Sequence, residues 1–585
     1  MNFLKNVLST VIGIFVFLFV FFFLFAFIGA IFGGNSNGIN IEENSVIELD
    51  LSEVTEDYGG KTKIKDFNYF ENSHNGLFDI IKGIENAKTD ENIKGISILN
   101  NYSSLGMAQI KELRVALEDF KKSGKFIYAY ANAYSQKEYY LNSVADIIYL
   151  NPIGEMDFKG LSTEVMFLKD FQEKSGLKME VIRHGKYKSA VEPFLENEMS
   201  EANKQQTAEL LTSLWNSVVS DIAKSRNISI GKLDEIANEL LARTPEMAKK
   251  ENLIDKIAYE DVYHDDIRAK LKIEKDEDYE DISMLDYAEN LATTTTDFEQ
   301  NKIAIVYAQG EIASGEGNVT TIGELSMRRS LQEARKDEDV KAIVLRINSP
   351  GGNALTSDLI WREIEITKKV KPVVVSMGTY AASGGYYIAC NANKIFAEPS
   401  TITGSIGVFG TLPNLTVAAK KFGINTVQVR THENASEYSP FVPLDEKFKA
   451  FTLESVEHIY NVFVNRVAVG RKMTFENVDA IAQGRVWSGA DALKIGLVDQ
   501  LGTMNDAIKY AAKLTKTEKF STVDYPEYET DFKTIFSGLS PFASAQKNLI
   551  KQEIGAENYK MLEKIKKMQS RKGVQAIMAF EIDVK

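Results

Sequence analysis

Near the start of the chain, 26 consecutive positions (7–32) carry no charge and are dense in Phe, Leu, Ile and Val. About 20 apolar residues cross a bilayer, and the apolar core of a cleaved signal peptide is only about 7–15 long, so this stretch predicts a retained transmembrane signal anchor. Beyond it the pattern becomes short apolar runs alternating with longer amphipathic ones. Residues 303–307, 342–347 and 372–376 read as buried strands. Residues 326–336, 357–369 and 446–469 read as helices between and after them. That alternation predicts an α/β fold with largely parallel strands. After about residue 520 the pattern breaks down. Residues 555–571 read as a Lys-rich helix and 578–584 as an apolar end, and this tail is taken as packing or assembly material.

The alternation occurs twice. At a constant offset of 247 residues, Ile93-Lys94-Gly95-Ile96 aligns with Val340-Lys341-Ala342-Ile343, Tyr139-Tyr140 with Tyr386-Tyr387, and Asn151-Pro152 with Glu398-Pro399. Gly160 aligns with Gly407, Arg183 with Arg430, and Pro193-Phe194 with Pro440-Phe441. Later the offset becomes 244, where Leu253-Ile254-Asp255 meets Leu497-Val498-Asp499. The chain is a tandem duplication. The expected organisation is a short N-terminus (1–6), the anchor (7–32), a Gly/Asn-rich tether (33–44), one α/β domain (45–292), a solvated Thr-rich linker (293–301), a second α/β domain (302–520) and the tail (521–585). Lys5 precedes the anchor, and the first charges after it are the acidic Glu42, Glu43 and Glu48. The positive-inside rule therefore places the N-terminus in the cytoplasm and the body outside it.

Composition adds mainly exclusions. A formal net charge of -14 over 585 residues argues against nucleic acid as a partner. The single Cys390 excludes internal disulfides and thiolate metal clusters, and the five His show no H-x-x-x-H pairing, so no metal site is expected.

The chemistry emerges where the two copies differ. After the strand 372–376 comes Ala381-Ala382-Ser383-Gly384-Gly385-Tyr386-Tyr387, with one hydroxyl where strand turns to helix. A helix N-terminus favours developing negative charge, and the glycines let a substrate approach the backbone. Ser383 is thus a candidate nucleophile, although a serine there can also simply cap the helix. In the first copy Gln136, Lys137 and Glu138 stand at the positions of Ser383, Gly384 and Gly385, and Ser103-Ser104-Leu105 replaces Pro350-Gly351-Gly352. The first copy cannot run the same chemistry. Conversely, Lys188 of the first copy falls on Ala435 of the second, inside a retained frame. A hydroxyl from one copy and an amine from the other predict a composite site between the domains. Burial makes neutral lysine available as a base, so a Ser–Lys pair can transfer acyl groups without histidine. Lys186 competes with Lys188, and His184 is a rival base with no identifiable Asp to orient it. The turn Asn348-Ser349-Pro350-Gly351-Gly352 offers backbone N–H groups for an oxyanion, and Ser405, in Thr403-Gly404-Ser405-Ile406-Gly407, offers a hydroxyl to hold the amine.

With these motifs and Tyr187-Lys188-Ser189-Ala190-Val191-Glu192-Pro193-Phe194 in hand, the chain resembles the long bacterial form of the signal peptide peptidases of family S49. The resemblance covers the anchor, both copies and the placement of the motifs. It implies a ClpP/crotonase-like fold in each copy and a serine endopeptidase with a Ser/Lys dyad: Ser383 as nucleophile, Lys188 as general base, Ser405 orienting the lysine, and Gly352 and Gly384 as oxyanion donors, Gly351 being the alternative to Gly352. It further implies no cofactor, apolar substrates such as cleaved signal peptides, a homotetramer, and a bacterial inner-membrane location with the body on the extracytoplasmic side. A crotonase-class acyl-CoA enzyme and a non-enzymatic membrane scaffold are the alternatives, the latter expecting Ser383 and Lys188 far apart.

Overall fold

The computed structural model of the protein describes residues 2–32, 41–64, 69–275, 277–294, 300–435, 438–530, 555 and 574–578. Each copy is built on a largely parallel sheet. In the first the strand order is Lys256–Ile257, Ile147–Leu150, Phe126–Ala131, Ile93–Leu99, Ser45–Glu48, Asp281–Ser283, all neighbours parallel. In the second it is Val486–Ser488, Ile402–Gly404, Val373–Ala382, Val340–Ser349, Lys302–Gln309, Ser521–Tyr525, with Lys394–Ala397 also paired to Val373–Ala382. Strands such as Val340–Ser349 are buried at nearly every position, as expected where helices cover both faces of a parallel sheet. Helix Glu324–Lys336 buries Met327, Leu331 and Ala334 along one stripe. Helix Ala354–Lys368 is started by Asn353, whose side chain accepts from Thr356 N–H.

The duplication holds for the main helices, whereas strands Ile402–Gly404 and Val486–Ser488 have no counterpart strand among the described residues of the first copy. Helices Leu77–Ala87 and Met107–Lys121 begin 247 residues before Glu324–Lys336 and Ala354–Lys368, and helix Glu201–Arg226 lies 245 before Glu446–Arg471.

Some boundaries differ from expectation. The strand read as 372–376 runs over Val373–Ala382, because Tyr380, Ala381 and Ala382 keep pairing with Ile402, Thr403 and Gly404. The second domain does not stop at 520. Ser521–Tyr525 adds a parallel strand beside Lys302–Gln309, so this part of the tail belongs to the core sheet. Helix Met284–Thr294 takes the first residues of the expected linker. Residues 295–299 and, apart from Gly555, the expected helix 555–571 lie outside the described residues.

The copies are clamped together. Arg346 of the second sits between Asp57 and Glu112 of the first, at 2.8 and 2.6 Å, with all three side chains buried. A seven-stranded sheet crosses from one copy to the other in the order Gly317–Asn318, Thr321–Gly323, Glu311–Ala313, Gly351–Asn353, Gln575–Ile577, Phe409–Asn414, Lys178–Arg183. The chain also opens with a helix, Asn2–Phe32, whose described side chains between Val11 and Phe23 are exposed. Taken over the described residues alone, no helix is long and apolar enough to cross a membrane.

Candidate active site

Ser383 lies between strand Val373–Ala382 and helix Gly384–Ala389, with φ 55° and ψ -112°. A non-glycine residue in such a region costs of order 1–3 kcal/mol, and such strain collects at functional sites. Its N–H donates to Gly404 O at 2.8 Å, which ties the bend to the neighbouring strand. The capping alternative fails, since the hydroxyl makes no cap hydrogen bond. Instead Ser383 Oγ is 2.9 Å from Lys188 Nζ and 3.3 Å from Gly407 O.

Lys188 is delivered by the other copy. Strand Lys178–Arg183 pairs antiparallel with Phe409–Asn414, Arg183 opposite Phe409. The chain then turns at Gly185 (φ 103°), packed on the Gln483 backbone, and Tyr187 N–H donates to Gln483 O at 2.9 Å. Next to this contact is Gly484, at φ 87°. A Cβ there would stand 2.6 Å from the N, Cα and Cβ of Lys188. Gly484 was not singled out from the sequence, although Gln483-Gly484 lies just before strand Val486–Ser488.

The Lys188 side chain is fully buried, as are Ser383 and Ser405. Burial pushes its pKa well below the ordinary lysine value of 10.5, and no carboxylate among the described residues offsets this. Nζ has three oxygen neighbours: Ser383 Oγ, Ser405 Oγ at 3.0 Å and Ser405 O at 3.1 Å. A neutral amine has two N–H donors and one lone pair. As it stands Nζ donates to Ser383 Oγ and the Ser383 hydroxyl donates to Gly407 O; a neutral amine with both donors on the oxygens of Ser405 would turn its lone pair to that hydroxyl. Ser405 adopts φ 47°, held by its N–H to Arg485 O.

Gly352 and Gly384 lie close together beside the serine. Gly351 N–H donates to Ser349 Oγ at 3.1 Å and is engaged. A Cβ on Gly384 would lie 3.2 Å from Gly352 N and 2.9 Å from the Ala576 carbonyl oxygen. Gly352 and Gly384 therefore border one small space, and Ala576 is the residue paired with Gly352.

The rivals sit elsewhere. Lys186 is exposed, with Nζ 5.5 Å from the Tyr187 ring centre. His184 packs on Tyr460, ring centres 4.1 Å apart. In the first copy Gln136, at the position of Ser383, accepts from Lys159 and Gly160 N–H and donates to Gly160 O. It closes that copy's corresponding space with its own amide. A buried hydroxyl beside a buried amine, next to two glycines that border one small space, can open an acyl bond with its own atoms.

The sequence profile of peptidase family S49 matches residues 119–275 and 365–518, once in each copy. The chain is 37% identical over 456 residues to Protease 4 of Haemophilus influenzae, covering 76% of this chain and 74% of that protein. It is 36% identical over 465 residues to Protease 4 of Salmonella typhi (78% and 74%). It is 32% identical over 480 residues to the chloroplastic serine protease SPPA of Arabidopsis thaliana (80% and 70%).

Proposed function

The chain belongs to peptidase family S49 and is a serine peptidase, and from that premise we propose that it hydrolyses apolar peptides, cleaved signal peptides among them, with Ser383 as nucleophile and Lys188 as general base. The observation that carries this reading is the buried Lys188 Nζ, 2.9 Å from Ser383 Oγ and unpaired with any described carboxylate. The neutral amine takes the hydroxyl proton as Oγ attacks the scissile carbonyl carbon. The N–H groups of Gly352 and Gly384 receive the developing oxyanion, a service worth about 3–4 kcal/mol per donor in well-studied hydrolases. Lys188 then passes the proton to the leaving nitrogen, and water, deprotonated by the same amine, hydrolyses the ester. Ser405 keeps the lone pair aimed at Ser383.

Each copy is read as ClpP/crotonase-like, and residues 7–32 as the anchor of a single-pass inner-membrane protein with its body on the extracytoplasmic side. In support, positions 7–32 of the sequence are uncharged over 26 residues, against the about 20 apolar residues that cross a bilayer. Tethering would raise the local concentration of membrane-bound peptides at the site. The same reading has the chain assemble as a homotetramer, for which the exposed Phe422, Val427 and Val429 supply apolar surface. The test is hydrolysis of a synthetic apolar signal peptide in detergent. Ser383→Ala and Lys188→Ala should each abolish turnover, and full turnover in both would end the proposal.

A further inference from the structure

Lys188 rides on a loop, and one side chain of the second copy grips that loop from two sides. Tyr460 stands on helix Glu446–Arg471 and is buried. Its ring packs on His184, ring centres 4.1 Å apart, where the chain enters the Gly185 turn. Its hydroxyl accepts from Gln483 N–H at 3.3 Å and donates to the Asp479 carboxylate. Gln483 is the rest for the Lys188 loop: its carbonyl accepts from Tyr187 N–H at 2.9 Å, and its backbone packs on Gly185. Gln483 adopts φ 54°, a left-handed conformation that costs an L-residue about 1–2 kcal/mol. It is held there twice, by Tyr460 on its N–H and by Asp479 Oδ2, which accepts from Gln483 Nε2 at 3.4 Å. The next residue, Gly484, donates its N–H to Ile406 O at 2.8 Å, beside Ser405. The same two residues thus meet both the lysine loop and the segment that orients the amine.

The first copy shows the same pair without a lysine to seat. At the helix offset of 245 residues, Trp215 stands at the place of Tyr460 and Asp234 at the place of Asp479. The bond between them is kept, with Trp215 Nε1 donating to Asp234 Oδ1 at 2.8 Å. An indole N–H can only donate, whereas a phenol donates and accepts at once. Of the two copies, the one that rests against the Lys188 loop carries the group that can also hold a backbone N–H. Burial, then the hydrogen bond to Asp479, raises the Tyr460 phenol above its ordinary value of 10.0, so it keeps the proton that it gives to Asp479.

We propose that Tyr460, backed by Asp479, is a positioning residue for Lys188. The phenol fixes Gln483, Gln483 fixes Tyr187, and the amine of the following residue thereby stands 2.9 Å from Ser383 Oγ. The proposal rests on the role of general base given above to Lys188.

A double-mutant cycle on the full chain in detergent tests this, read as kcat and KM for an apolar fluorogenic peptide and as the rate of Ser383 phosphonylation by a fluorophosphonate. Tyr460→Phe keeps the ring on His184 and loses only the hydroxyl; kcat and the phosphonylation rate should fall about tenfold with KM unmoved. Trp215→Phe removes the matching hydrogen bond of the first copy and should leave both rates within about twofold of wild type. Asp479→Ala frees the phenol from behind and should lower kcat in the same sense as Tyr460→Phe. In a Lys188→Ala background, Tyr460→Phe should slow the residual phosphonylation no further, because its effect passes through the lysine. A further tenfold loss there, equal losses in Tyr460→Phe and Trp215→Phe, or a wild-type kcat in Tyr460→Phe would each overturn the positioning role. A slow Lys188→Ala beside an unimpaired Tyr460→Phe ends that role alone and leaves the peptidase reading standing. A wild-type rate in Lys188→Ala ends both.

Discussion

Gly484→Ala tests how Lys188 is placed without touching either reacting group. Gly484 sits at φ 87°, where an L-residue costs about 1–2 kcal/mol. The new methyl would also lie 2.6 Å from three atoms of Lys188. Carbon atoms rest at about 3.5–4.0 Å, so the Lys188 backbone must retreat by about 1 Å. Carried to Nζ, that stretches the 2.9 Å contact with Ser383 past hydrogen-bonding range. A misplacement of about 1 Å costs on the order of 100-fold in rate, or about 2.7 kcal/mol of activation free energy. Gly124→Ala is the control: its φ is 85°, and a Cβ there meets nothing within 4 Å. Gly124→Ala should lose about 1–2 kcal/mol in a urea titration from backbone strain alone, and Gly484→Ala more than that, because the overlap with Lys188 adds to the strain. Only Gly484→Ala should lose kcat, by about 100-fold, against an apolar fluorogenic peptide. A kcat within about threefold of the Gly124→Ala value would refute the reasoning.

Three further outcomes follow from the same geometry. Ser405→Ala removes one of the two acceptors that orient the amine, so kcat should fall about tenfold, the worth of a hydrogen bond of about 1–1.5 kcal/mol, with KM unmoved; an unchanged kcat would contradict the orienting role. Arg346→Met leaves Asp57 and Glu112 buried without a counter-charge and should destabilise the protein by about 3–5 kcal/mol in denaturant, so a loss below about 1 kcal/mol would count against the inter-copy clamp. Burial, then Glu112, raise the Glu398 carboxyl to about 8, so the folded state keeps a proton that the unfolded chain releases. That contribution is fully present below about pH 4.5 and lost as pH rises through about 8. Glu398→Gln should therefore stabilise the protein by on the order of 2–4 kcal/mol at pH 9 and converge with wild type at pH 4 in thermal unfolding, and equal stabilities at pH 9 would contradict it.

The duplication made much of this legible in the sequence. One copy served as reference for the other, so Ser383 stood out against Gln136 and Lys188 against Ala435, and the structure brings those two residues together. Strand and helix periodicity gave the layers because both are local signals. What escaped was long-range pairing. Ala381-Ala382 carries no strand signal and is extended only because Thr403 and Gly404 lie beside it. The positive φ of Ser383 and Ser405 is imposed by neighbouring strands and has no residue signature, except for Gly384 and Gly404 alongside. Gly484 matters only because Lys188 of the other copy crosses it. The segment 574–578 is too short to announce a strand, and nothing local marks Gly351–Asn353 as its partner.

The central claim is that a lysine uncharged at neutral pH deprotonates Ser383. It is tested most directly by the pH dependence of Ser383 phosphonylation by a fluorophosphonate, in which the Oγ–P bond forms as fluoride leaves, followed by single-turnover labelling in wild type and Lys188→Ala. The account predicts a wild-type rate that rises through a limb well below the ordinary lysine value of 10.5, and a Lys188→Ala rate lower by at least about 100-fold with that limb gone. A limb near 10.5, or the same limb in both proteins, would contradict it.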